Sequence, residues 1–263
     1  MSTDGLPAAV PGRAMRRNFL QLLAAAPLLG ATASYAAGAV AGPAGQEQPA
    51  RIAVVGDSQA QGLAIGLQRI YRQDPRVRIL DHARISTGLI RLNFFDWPSY
   101  SQQIAPSLHA AAAVVMFGAN DRPAVRIGGF VDDRLLQDFT ALYGGRARTV
   151  IHSFRAAGSG VIWVGHPVVR GEVYAEDMAI INRICQQACV AEGAVFVPLW
   201  DLFTDAAGHY TAYGPGPDGQ TTRLRNDDGV HLSPAGYVLA AQRIQRYVDA
   251  MGPRSDSAKF ATR

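Results

Sequence analysis

From residue 50 onward, short continuous apolar runs alternate with longer amphipathic stretches. The short runs are Ile52-Ala53-Val54-Val55, Val77-Arg78-Ile79-Leu80, Ala113-Val114-Val115-Met116-Phe117, Val161-Ile162-Trp163-Val164 and Val195-Phe196-Val197. Most show no polar alternation and are rich in β-branched residues, which predicts strands buried on both faces. Around them, apolar residues recur at helical spacing near 60–71, 100–109, 135–157, 175–192 and 234–250. Alternation of this kind predicts a parallel sheet covered by helices on both sides. In such sheets the chemistry lies beyond the carboxyl ends of the strands. No internal repeat interrupts the pattern.

Composition agrees with one large α/β domain plus tails. The chain has 263 residues, 48% hydrophobic and 17% charged, enough apolar material for a sizeable core and too much for global disorder. The net charge of +4 resides at the ends. Arg13, Arg16 and Arg17 face only Asp4, and Arg254, Lys259 and Arg263 face only Asp256, so residues 42–252 are neutral. No domain-wide basic face follows, and nucleic acid is not an expected partner.

The ends are also set apart by pattern. Arg16-Arg17-Asn18-Phe19-Leu20 opens an apolar stretch that passes into alanine-rich sequence up to Ala41. This resembles a twin-arginine export signal. A membrane anchor is the competing reading, since 19–41 is nearly long enough to span, but Pro27 and the weakly hydrophobic second half favour a signal. Residues 1–41 are therefore expected to be an export signal, 42–252 the working domain and 253–263 a loose tail. The expected location is periplasmic or secreted, with no stable membrane insertion after signal removal.

An oxidising compartment draws attention to Cys185 and Cys189. Four residues apart on one helical face, they would strain a helix if bridged, and no further ligands lie near enough in sequence for zinc. Two packed thiols are expected.

The ends of the strands carry the candidate chemistry. The first strand runs into Gly56-Asp57-Ser58 with a helix just after, which would set Ser58 on a tight turn beside backbone N–H groups. Ser and Asp also cap helices, so this triplet alone is weak. The second strand is followed by Ser86-Thr87-Gly88, and the third leads into Gly118-Ala119-Asn120-Asp121. Far downstream, Asp228-Gly229-Val230-His231 precedes the last helix. Acyl transfer needs a nucleophile, a base, a carboxylate to orient the base, and donors for the oxyanion. Each has a candidate here.

In their order and spacing, Gly56-Asp57-Ser58, Gly88, Gly118-x-Asn120-Asp121 and Asp228-x-x-His231 resemble the four blocks of the SGNH (GDSL-type) hydrolase superfamily. Ser86-Thr87-Gly88-Leu89 and Phe94-Phe95-Asp96-Trp97-Pro98 are similar to strings in an exported bacterial branch of it. The resemblance implies a flavodoxin-like three-layer α/β/α sandwich with a five-stranded parallel sheet, no metal and no cofactor. It implies Ser58 as nucleophile, His231 as base and Asp228 as orienting carboxylate. The Ser58 and Gly88 amides and the Asn120 side chain would form the oxyanion hole. Gln59 departs from the apolar residue many relatives carry there and is expected to alter the lining of the site. Asp57 and Asp121 are expected to brace their turns.

Candidate substrate contacts are His166, after the fourth strand, and Tyr210, Tyr213, Arg223 and Arg225 in the stretch 206–227. That stretch shows no periodicity and reads as a long loop beside the catalytic block. The expected activity is a serine esterase or O-acyltransferase acting on O-acyl groups, above all O-acetyl, of a carbohydrate or exopolysaccharide. An acylated small molecule is the other expected partner. Two alternatives stand beside this reading: a lipolytic or thioester hydrolase, and a non-catalytic glycan-binding or assembly component.

Overall fold

The computed structural model describes residues 48–252. The expected export signal and tail lie outside the described residues. In chain order the elements are β1 (Ala50–Gly56), α1 (Ser58–Ile70), β2 (Val77–Asp81), α2 (Trp97–Leu108), β3 (Ala112–Met116), β4 (Arg126–Ile127), β5 (Phe130–Val131) and α3 (Asp133–Ala156). There follow β6 (Gly160–Val164), α4 (Glu172–Glu192), β7 (Val195–Val197), a 3₁₀ turn (Trp200–Phe203), β8 (Tyr213–Pro215), β9 (Thr221–Arg223) and α5 (Pro234–Met251). The five apolar runs form one sheet in the order β2-β1-β3-β6-β7, with every neighbouring pair parallel. This is the flavodoxin-like order, which places a topological switch between β1 and β3.

The two faces of the sheet separate by strict alternation, because successive strand residues point to opposite sides. Ala53, Val55, Ala113, Val115, Val161 and Trp163 pack against α2, α3 and α4. Ile52, Val54, Ala112, Val114, Ile162 and Val164 pack against α1 and α5. Both cores are closed, which is why the runs lack polar positions. Each buried Val or Ile among them stabilises the fold by about 1.5–3 kcal/mol through burial. Cys185 and Cys189 are buried and unbonded in the first core, as expected. Burial pushes the Cys185 thiol well up and that of Cys189 to about 12, so neither is a ready nucleophile.

The stretch 206–227 differs from the expected loop. β8 and β9 pair antiparallel within it, and Leu224 just beyond is buried in the core that α1 and α5 share. Strands of three residues are too short for alternation to register, so the hairpin left no periodic trace. Among the described residues no helix is long and apolar enough to cross a membrane.

Candidate active site

β1 ends at Gly56 with φ +146°, pressed so closely against β3 that any side chain would overlap the Met116 carbonyl. The Asp57 amide donates to that carbonyl at 3.3 Å, and the Asp57 carboxylate then caps α1 by accepting from the Gln59 amide at 2.9 Å. Ser58 is thereby the first residue of α1, part-exposed at the carboxyl edge of the sheet. Asp57 braces the turn as expected. It is fully buried with one oxygen unpartnered among the described residues, and burial pushes its carboxyl up to about 7 against the pull of the Gln59 amide.

His231 reaches this edge from a turn just before α5. Its Nε2 lies 2.8 Å from Ser58 Oγ, and its Nδ1 lies 2.6 Å from Asp228 Oδ2. A carboxylate only accepts, so Nδ1 carries the proton and Nε2 is free to accept from the serine hydroxyl. The other Asp228 oxygen accepts from the Val230 and His231 amides at 2.8 and 2.9 Å. Partial burial pushes the Asp228 carboxyl up. The bonds from the Val230 amide and from the His231 ring and amide outweigh it and hold the group below the ordinary carboxylate value. The intervening Gly229 has φ +71°, and Arg170 packs where its side chain would be. The tight turn needs glycine for both reasons.

The second and third blocks interlock. Asp121 lies against Gly88, where any side chain would overlap its carboxylate, and accepts from the Leu89 and Ile90 amides at 2.9 and 3.1 Å. Asn120 donates from Nδ2 to the Thr87 carbonyl at 2.8 Å, which leaves one N–H of the amide free of that bond. The Ser58 and Gly88 amides have no acceptor among the described residues. The Thr87 hydroxyl, in turn, accepts from the fully buried Trp97 indole at 2.9 Å. Trp97 is thus the anchor of the Gly88 turn, a role hidden inside the string Phe94 to Pro98.

Two expected substrate contacts are corrected. Arg225 is fully buried: it donates to the Gly229 and Val230 carbonyls at 3.2 and 3.0 Å and to that of Val168, with its guanidinium 4.8 Å from the centre of the Tyr210 ring. Burial lowers it to about 10. It supports the turn carrying Asp228 and His231 and touches no solvent. His166 is also fully buried, bonded to Asn182 through its amide, and burial pulls its ring down to about 4. Its loop position suggested access that the packing of α4 removes. Arg223 donates to the Arg225 carbonyl and pairs with Asp227, and Tyr213 is exposed on β8. The Tyr210 hydroxyl is buried without a partner among the described residues, while the residue lines a groove.

That groove, of about 720 Å³, runs beside the turn that carries Asp228 and His231. Arg170 belongs to both, since its amide donates to the Gly229 carbonyl at 3.0 Å and its side chain lines the groove. Trp200 and Tyr210 supply aromatic faces there, and Glu172 and His209 polar ones. Gln59, expected in the lining of the site, is instead fully buried, with its amide bonded to the Val230 carbonyl.

A β2-β1-β3-β6-β7 parallel sheet between two helical layers, with these four blocks at its carboxyl edge, is the fold of the SGNH hydrolases. Over residues 51–247 the chain belongs to the family described as "Protein of unknown function (DUF459)". No curated protein matches it. Among solved structures it is similar to a protein of Slackia heliotrinireducens assigned to the SGNH hydrolases. The two share 21% identity over 75% of this chain and 98% of that one, with a TM-score of 0.53. A GDSL-like lipase from Bacteroides thetaiotaomicron shares 15% identity, covering 77% of this chain and 91% of that one, at 0.53. For a catalytic mutant of an acetylxylan esterase from Geobacillus stearothermophilus the identity is 14%, the coverages are 76% and 94%, and the TM-score is 0.54.

Proposed function

We propose that this protein is a serine esterase or O-acyltransferase of the cell exterior that acts on O-acetyl groups of a carbohydrate. The observation that carries the reading is the continuous chain from Ser58 Oγ through the His231 ring to Asp228, at 2.8 and 2.6 Å. His231 Nε2 takes the hydroxyl proton as Ser58 Oγ attacks the ester carbonyl carbon. The oxyanion that forms is held by the Ser58 and Gly88 amides and the Asn120 side chain. The tetrahedral species collapses, and the His231 imidazolium gives its proton to the departing alkoxide. Water or a second hydroxyl, deprotonated by His231, then attacks the acyl carbon, and the imidazolium returns that proton to Ser58 Oγ as the acyl–oxygen bond breaks. Asp228 holds the ring orientation and stabilises the imidazolium.

Support for a carbohydrate comes from the groove beside the turn. Trp200 and Tyr210 offer faces for the apolar sides of sugar rings, and Arg170, Glu172 and His209 offer partners for hydroxyls. A structural relative is an acetylxylan esterase by its description. The export reading of Arg16-Arg17 is consistent with a substrate outside the cytoplasm.

The test is a panel of nitrophenyl esters from acetate to palmitate together with an acetylated oligosaccharide, with and without an alcohol acceptor. The expected result is turnover that falls as the acyl chain lengthens, with acetate released from the oligosaccharide. A preference for long chains would instead point to a lipolytic enzyme, and no turnover with no fluorophosphonate labelling to a binding role.

A further inference from the structure

The carbonyl of Val230, the residue before His231, is held from two sides. Gln59 Nε2 donates to it at 2.7 Å and Arg225 Nη2 at 3.0 Å. Gln59 follows Ser58 directly, so a single side chain joins the peptide bearing the serine to the peptide bearing the histidine. The amide orientation is unambiguous, since a carbonyl only accepts and must face the NH₂ group. The other end of the amide is also fixed: the Tyr237 hydroxyl donates to Gln59 Oε1 at 3.0 Å. Tyr237 reaches it because Gly62, one turn further along α1, leaves room for the phenol ring. Both Gln59 and Arg225 are fully buried, so these bonds do not compete with water.

We propose that Gln59 is a positioning residue for catalysis, which acts through the Val230 carbonyl to set the reach of His231 Nε2 to Ser58 Oγ, with Tyr237 orienting its amide. This rests on the reading of Ser58, His231 and Asp228 as an acyl-transfer triad. A rotation of the 230–231 peptide would swing the imidazole relative to the serine, and the amide opposes it from the serine's own helix. Removing it leaves the Val230 carbonyl held only by Arg225, which comes from the turn's own side of the chain.

The test uses the full chain and three variants. Gln59→Leu keeps the volume and removes both bonds. The expected result is a fall of at least about tenfold in kcat on nitrophenyl acetate with KM within twofold, a matching fall in fluorophosphonate labelling rate, and a displaced titration of the His231 ring by NMR. Tyr237→Phe, which removes only the orienting hydroxyl, gives a smaller loss of the same kind and guards against misfolding in the first variant. Gln59→Glu supplies a pH signature. Protonated, the introduced carboxyl donates to Val230 and accepts from Tyr237; ionised, it cannot donate, so activity relative to the wild type falls as the pH rises through its ionisation. A kcat within twofold of wild type in folded Gln59→Leu, or wild-type activity at every pH in folded Gln59→Glu, overturns the proposal. If the wild type hydrolyses no ester and takes no label, the esterase reading fails separately. The His231 titration then decides the matter alone, and an unmoved ring in Gln59→Leu overturns the positioning role.

Discussion

Ser58 and His231 stand 173 positions apart in the chain and meet with Oγ and Nε2 2.8 Å apart. The serine is placed by the β1–α1 turn and the histidine by the turn before α5, and α1 and α5 pack side by side on the same face of the sheet. Proximity between the two groups is therefore a consequence of helix packing, and substitutions on either turn should act on turnover before they act on stability.

Ser58→Ala should fold as the wild type does and lose nearly all turnover, keeping roughly the 10³- to 10⁴-fold acceleration over water that binding and the oxyanion hole supply in such sites. Fluorophosphonate should label Ser58 in the wild type and nothing in the variant. Label found at Ser86 would remove Ser58 from its proposed role.

Asp228→Asn should preserve the shape of the turn and reverse the polarity of the His231 bond. An amide N–H facing Nδ1 places the imidazole proton on Nε2, where it blocks acceptance from the serine. A loss of about 10⁴-fold in kcat is expected at neutral pH. In the wild type the carboxyl, held low, stays ionised across the working range, so activity rises with pH only as the imidazole loses its proton. Pre-steady-state rates against pH for both proteins check this, and a wild-type rate that falls over the same interval would exclude histidine as base.

Asn120→Ala removes the proposed oxyanion donor and also the tether to the Thr87 carbonyl. The expected cost is about 10²- to 10³-fold in kcat, roughly 3–4 kcal/mol, with little change in KM. A variant with higher KM and intact kcat would show that Asn120 holds ground-state substrate.

Stability should respond to pH through two buried groups with opposite signs. Asp57 holds its proton in the folded state up to about 7, above its ordinary value, so its contribution is complete below that ordinary value and is lost as pH rises towards 7. His166 is pulled down to about 4, so its contribution is present above 6.5 and is lost as pH falls towards 4. Urea midpoints of Asp57→Asn should fall less than wild type between pH 4 and 8, and those of His166→Asn should fall less between pH 7 and 4. Wild-type slopes in both variants would mean that neither group titrates on unfolding.

Arg170→Gln, in the groove beside the Asp228–His231 turn, should lower kcat/KM on an acetylated oligosaccharide relative to nitrophenyl acetate by at least about tenfold, or ~1.4 kcal/mol. Equal losses on both substrates would make Arg170 a support of the Gly229 turn and leave the groove without a part in selection.

The sheet, its flanking helices and the blocks around Ser58, Gly88, Asn120 and His231 were legible in the chain because each rests on local pattern. Burial on both faces removes polar positions from a strand, one-sided burial imposes helical spacing, and tight turns demand glycine beside the groups they present. The uses of Gln59, Trp97, Arg225 and His166 were not legible. Arg225 reads as an exposed loop cation until the packing of Tyr210 and the turn's own carbonyls enclose it, and Gln59 reads as site lining until Val230 and Tyr237 arrive from 171 and 178 positions away. The sequence by itself determined which groups stand at the carboxyl edge of the sheet. Only tertiary packing decided which polar side chains are withdrawn from solvent to hold them, because a buried hydrogen bond between distant segments leaves no periodicity in either one.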